Sequence, residues 1–143
     1  MYDHKPHIDY LILHNSLYNN LLIRSRLFFD LDQRMGENIK FIDSGNPEEI
    51  DYTAHGIEDA LLIDNTGAFT NKEALSHHLR AKGVSKVLLT APGKGIPNIV
   101  YGINSKELDI DNTNIFSAAS CTTNCIAPIL HIVENKYGVE KGH

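Results

Sequence analysis

Two cysteines and three hydroxyls share the six residues Ser120-Cys121-Thr122-Thr123-Asn124-Cys125, and the chain holds no other cysteine. Upstream, Asn114-Ile115-Phe116 is apolar and β-like; downstream, Ile126, Ile129, Leu130 and Val133 recur at helical spacing. Cys121 is therefore expected where a strand gives way to a helix. A free thiol, with a pKa near ~8.5, is only slightly ionised at neutral pH. A helix start carries about half a positive charge and unpaired N–H groups, and both favour a thiolate. The same N–H groups, with the Ser120, Thr122 and Thr123 hydroxyls, are suited to holding an oxyanion or a phosphate. A nucleophile beside anion donors suits attack on the carbonyl carbon of an aldehyde or ester in an anionic substrate.

Other uses of these thiols compete. Cysteine is often a buried small hydrophobe, and Cys125, one turn further in, is expected to pack or to support Cys121. Thiols four apart on a helix suit a disulfide poorly. A metal centre needs more ligands at suitable spacing, and His4, His7, His14 and His55 are scattered, so no metal site is expected.

The elements that must position Cys121 can be read outward from it. Residues 1–35 are assigned only a weak helix on the spacing of Leu13, Leu17 and Leu21, although Ile8 to Leu13 equally fits a strand. Ile39 to Ile42 alternates like a strand. Asn46-Pro47-Glu48-Glu49 reads as a helix start, with cap, proline and acids in order, ending near Gly56. Ala60 to Asp64 and Lys86 to Thr90 are apolar runs suited to parallel strands buried on both faces. Between them, Asn71 to Ala81 is expected to be helical, capped by Asn71, with Ala74, Leu75, His78 and Leu79 inward and Gly83 closing it. Further strands are expected at Asn98–Ile103 and Ile115–Ala118, then a helix from Cys121 to Tyr137. This is an α/β layer pattern. In an open parallel sheet, ligands bind beyond the carboxyl ends of the strands. Asn65 to Phe69, Thr90 to Gly93 and Ser120 to Thr122 all fall there.

With 143 residues the chain has room for one core. A net charge of −5 disfavours a nucleic-acid partner. Asn15, Asn19, Asn20, Arg24 and Arg26 break the apolar stretch from Leu11 to Phe29, so no membrane span is expected. No secretory signal is read, and two cysteines in one short segment fit a reducing cytoplasm.

Ala119-Ser120-Cys121-Thr122-Thr123-Asn124-Cys125-Ile126 resembles the active-site segment of phosphorylating glyceraldehyde-3-phosphate dehydrogenases. Asp64-Asn65-Thr66-Gly67-Ala68-Phe69 resembles the family's Ser-Thr-Gly-x-Phe turn, Leu89-Thr90-Ala91-Pro92 its next strand end, and Tyr101-Gly102-Ile103-Asn104 its Gly-Val-Asn stretch. Order and spacing agree from residue 39 to 143, about three-quarters of the chain. The resemblance implies that Cys121 attacks the aldehyde of glyceraldehyde 3-phosphate, that hydride passes to a nicotinamide, and that inorganic phosphate releases the acyl group from the resulting thioester. It implies that Ser120 and Thr122 help hold phosphate and that Thr66, Gly67, Phe69 and Thr90 line the NAD site. It also implies a glycolytic, cytoplasmic, homotetrameric enzyme.

Two family features are not found. No Gly-rich βαβ unit precedes Ile39, and Gly93-Lys94-Gly95 leads into Ile96-Pro97-Asn98 rather than a third glycine and a helix, so it fails as a dinucleotide fingerprint. With no acidic ribose reader, NADP is not excluded. The family's catalytic histidine follows the cysteine helix on a further strand, whereas the sequence ends at His143, read as a surface residue. The expectation is a partial Rossmann-like α/β fold, a mostly parallel sheet with flanking helices. Residues 1–35 are unassigned, residues 36–143 form part of a dinucleotide-binding domain, and the catalytic domain is absent. The isolated chain is expected to be inactive. The alternatives are a non-catalytic remnant or association module of the same fold, or a related phosphorylated-aldehyde or semialdehyde dehydrogenase.

Overall fold

The computed structural model describes residue 42 and residues 46–142. The weak helix expected in residues 1–35, most of the strand at 39–42, and His143 lie outside the described residues. Three parallel strands, β1 (Ala60–Asp64), β2 (Val84–Leu89) and β3 (Ile115–Ser117), form a sheet in the order β1-β2-β3. Helix α1 (Lys72–Arg80) connects β1 to β2, and α2 (Cys121–Tyr137) follows β3. This is the expected partial Rossmann-like architecture.

Local chemistry explains each element. Asn71 Oδ1 accepts from Ala74 N at 2.8 Å and so caps α1. Leu75 and His78, one turn apart, are the buried side chains of that helix. After α1 the chain reverses through Gly83, at φ +94°, where a Cβ would stand 2.5 Å from the Ile57 carbonyl oxygen. Only glycine fits both that torsion and that approach. The register sets Leu62 opposite Val87, and Asp64 opposite Leu89, which in turn faces Ser117.

The core lies on one face of the sheet. Leu62, Leu75, Val87, Leu89, Ile96 and Ile115 pack with Ile50 and Tyr52 from the preceding loop. Burial raises the Tyr52 phenol pKa. The expectation that the strands are covered on both faces is only half met. Leu61 and Ile63 alternate outward on β1 and are 49% and 42% exposed. A parallel sheet needs a layer on each side, and the described residues supply one. The apolar stripe of α2 is likewise open at Ile126, Ile129, Leu130 and Ile132.

Two other expectations are corrected. The helix expected from Asn46 to Gly56 is instead two short 3₁₀ turns, Pro47–Glu49 and Thr53–His55. Asp51 restarts the chain between them: its carboxylate accepts from Thr53 N, Ala54 N and the Thr53 hydroxyl, competing with a continuous helix. Those bonds, the Thr53 hydroxyl first, together with Lys82 bring its pKa to about 2. Glu48 joins the first turn to α1 through His77 and Arg80. The strand expected at Asn98–Ile103 is reduced to one bridge, between Asn98 and Ser117. Asn104 Oδ1 accepts from Val100 N at 2.8 Å, and its amide donates to the Asn98 carbonyl. These bonds, with left-handed Gly102, fold the segment into turns.

This distribution of burial predicts unequal costs. Leu75→Ala, at a site with 0% exposure, should lower unfolding free energy by about 2–5 kcal/mol. Ile132→Ala, at 64% exposure, should change it by less than about 0.5 kcal/mol. Urea unfolding of the two variants checks this, and equal losses would contradict the one-faced core.

Candidate active site at the strand ends

Because the three strands run parallel, Asp64, Leu89 and Ser117 end at one edge of the sheet. The backbone continues to knit that edge beyond the strands: Thr90 N donates to Asp64 O at 3.0 Å and Ala118 N to Leu89 O at 2.9 Å.

Asp64 organises the first loop. Its side chain is fully buried, pairs with His78 Nε2 at 3.0 Å, and accepts from the backbone N–H and hydroxyl of Thr66, each at 2.8 Å. Burial pushes this carboxyl up, but the bonds from His78 and Thr66 outweigh it and hold its pKa below the usual carboxylate range. The Thr66 hydroxyl also accepts from Ala68 N, so it is committed to shaping its own turn. Gly67 follows at φ +73° with open space where a Cβ would stand. Phe69 is half-buried and packs edge-on to the His78 ring, 5.2 Å between centroids. Thr90 is exposed, and its hydroxyl donates to the Asp64 carbonyl at 3.2 Å.

The thiol sits on the third loop. Ser117, fully buried, donates its hydroxyl to Ala91 O at 2.6 Å and accepts from Ala119 N at 2.9 Å. Buried Ala119 takes φ +59°, a left-handed conformation costing a non-glycine residue roughly 1–2 kcal/mol. The chain then enters α2. Ser120 Oγ caps it by accepting from Thr123 N at 2.9 Å, with the Thr122 and Thr123 hydroxyls within 3.0 Å and 2.6 Å. Cys121 is exposed as the first residue of this 17-residue helix. The cap occupies Thr123 N, and helix geometry directs the N–H groups of Cys121 and Thr122 out of the helix end. Among the described residues no hydrogen bond reaches the Cys121 sulfur.

All seven residues singled out from sequence, Thr66, Gly67, Phe69, Thr90, Ser120, Cys121 and Thr122, thus belong to loops or a helix start at the same sheet edge. Thr66 and Ser120 spend hydroxyl capacity on their own turns, and the Phe69 ring faces α1. Cys125, expected to pack or to support Cys121, is exposed, because nothing in the described residues lies over that face of α2. Sequence reasoning missed Asp64, Ser117 and Ala119 as organisers. A polar residue closing an apolar strand was a usable signal for Asp64; a left-handed alanine leaves none. The described residues contain no group of three or more histidines, cysteines or acids placed to hold a metal, and no helix long and apolar enough to cross a membrane.

The chain is 50% identical over 109 residues to the glyceraldehyde-3-phosphate dehydrogenase-like protein of Pseudomonas aeruginosa, a match covering 76% of this chain and 23% of the relative. It is 43% identical over 108 residues to the chloroplastic glyceraldehyde-3-phosphate dehydrogenase A of Zea mays, covering 75% of this chain and 26% of that protein. Identity to glyceraldehyde-3-phosphate dehydrogenase 2 of Staphylococcus epidermidis is 41% over 109 residues, 75% of this chain and 31% of the relative. No protein-family model matches. About three-quarters of the chain is therefore homologous to glyceraldehyde-3-phosphate dehydrogenases, and the chain spans between 23% and 31% of the length of these relatives.

The Asp64 cluster makes a pH prediction. A carboxyl with a lower pKa folded than unfolded contributes stability that is present above its unfolded value, about 3.9, and is lost as pH falls through the folded one. Asp64→Asn should cost about 1–3 kcal/mol at pH 7. The gap from the native chain should narrow steadily below about pH 4. Urea midpoints from pH 7 down to pH 2.5 measure both, and a gap constant with pH would refute the assignment.

Proposed function

We propose that this chain supplies the nucleophile-bearing segment of an NAD(P)-dependent, phosphorylating glyceraldehyde-3-phosphate dehydrogenase. The homology supports the family reading. The observation that carries the chemistry is the exposed sulfur of Cys121 on the first residue of a capped 17-residue helix. Residues 36–143 act as the later part of a dinucleotide-binding domain.

In this reading the Cys121 sulfur, at the N-terminal end of α2, attacks the aldehyde carbon of a phosphorylated substrate. The sulfur–carbon bond forms as the carbonyl π-bond breaks, giving a thiohemiacetal. The outward N–H groups of the first turn favour the developing oxyanion or an incoming phosphate, and the Thr122 hydroxyl and the capping Ser120 lie beside them. Inorganic phosphate then attacks the acyl carbon of the thioester and returns the thiolate. A bound NAD(P) would supply the hydride acceptor needed to take the first adduct to that thioester. The first two loops fit such a cofactor: Gly67 presents no side chain and open space, and the Thr90 side chain is exposed. Thr66 and Phe69 act there by holding the turn in shape. NAD and NADP fit these features equally.

A general base is a separate requirement, and its loss lowers rate by about 10²–10⁴-fold. Among the described residues none is hydrogen-bonded to the Cys121 sulfur, and His131, further along α2, bonds Asn135 instead. The 143-residue chain assayed alone should therefore show no NAD reduction with glyceraldehyde 3-phosphate. It should still be alkylated by iodoacetate at Cys121 faster than at Cys125, with inorganic phosphate slowing the Cys121 reaction. Site-resolved mass spectrometry reads both rates. Equal labelling unaffected by phosphate would defeat the nucleophile assignment; turnover abolished by Cys121→Ala would show that the chain needs no further base.

A further inference from the structure

We infer that Asn124 is a positioning residue for Cys121, its side-chain amide locking the left-handed Ala119 turn that sets the sulfur at the helix start. The inference rests on the reading of Cys121 as nucleophile and adds to it a cause for the sulfur's placement.

The geometry is specific. Asn124 Nδ2 donates to Ala118 O at 2.7 Å and to Ser120 O at 2.9 Å. These are the carbonyls on either side of Ala119, the residue at φ +59°. One amide group therefore ties the peptide unit that enters Ala119 to the one that leaves Ser120, bracketing the unfavourable torsion. From the sheet side, Ser117 Oγ accepts the Ala119 N–H. Ala119 is held between these two side chains, and its torsion directs the chain from β3 into α2.

The helix itself gives this turn less support than a regular one would. Pro128 lies inside α2 and has no N–H to offer the carbonyl four residues back, which is that of Asn124. The backbone ladder is thus interrupted at the residue whose side chain reaches back to the turn. Asparagine is an indifferent helix former, and Asn124 is exposed, so neither propensity nor packing accounts for it. Its two-donor amide does, because both of its targets are acceptors.

A substitution pair separates positioning from general helix support. Asn124→Ala removes the lock. Ala119→Gly makes the left-handed torsion accessible without one, since glycine adopts positive φ freely. The readout is the ratio of iodoacetamide alkylation rates at Cys121 and Cys125 in the full 143-residue chain at pH 7, followed by peptide mass spectrometry. Cys125 serves as an internal reference, and the urea-unfolded chain sets the baseline. The native ratio should exceed that baseline by about tenfold. Asn124→Ala should bring it close to baseline, and the double variant Ala119→Gly/Asn124→Ala should restore most of it. A native ratio at baseline overturns the nucleophile reading and this inference together. A high native ratio that Asn124→Ala leaves unchanged overturns this inference alone. So does a fall that glycine at 119 fails to reverse.

Discussion

The parallel register of the three strands is the constraint on which the rest depends. It makes Asp64, Leu89 and Ser117 finish side by side, so loops far apart in sequence leave the sheet at one edge. Hydrogen bonds from Thr90 N to Asp64 O and from Ala118 N to Leu89 O carry the ladder past the strand ends. The loops are thereby fixed relative to one another before any side chain acts. An antiparallel strand in any of the three positions would move one loop to the opposite edge.

On that frame, buried polar side chains do the shaping. Asp64 and Ser117 lie at the ends of outer strands, and both are almost wholly shielded from water. A buried carboxylate or hydroxyl is costly unless its hydrogen-bonding capacity is used. Here the partners are the loops themselves: Thr66 and His78 for Asp64, Ala91 and Ala119 for Ser117. The requirement to satisfy these groups therefore specifies loop conformation as well as stability. The left-handed Ala119 is the clearest case, a torsion the local sequence disfavours and its surroundings impose.

Much of this was legible in the sequence. The Ala60–Asp64 strand, the Asn71 cap and the limits of the Cys121–Tyr137 helix follow from apolar spacing and cap chemistry, which are local signals. The errors fell where side chains captured backbone groups. Asp51 divided an expected helix into two turns, and Asn104 folded an expected strand; both residues read as ordinary polar positions until their partners are known. The site shows the same division. Cys121 and its hydroxyl neighbours were identifiable by type and spacing, and the strand-end loops by topology. The roles of Asp64, Ser117 and Asn124 depend on contacts that a linear pattern does not encode. Burial of the outward face of β1 was expected from its apolar run alone, which records what a surface prefers and not whether a neighbour covers it.

Pro128 has a mechanical consequence. A regular helix transmits a push at one end to the other through an unbroken column of hydrogen bonds. In α2 that column has a gap two turns from the sulfur, while the opening turn is tethered to the sheet edge by its own side chains. The half of the helix beyond Pro128, where Ile129, Leu130 and Ile132 lie bare, can therefore tilt against whatever it meets while the reactive end keeps its aim.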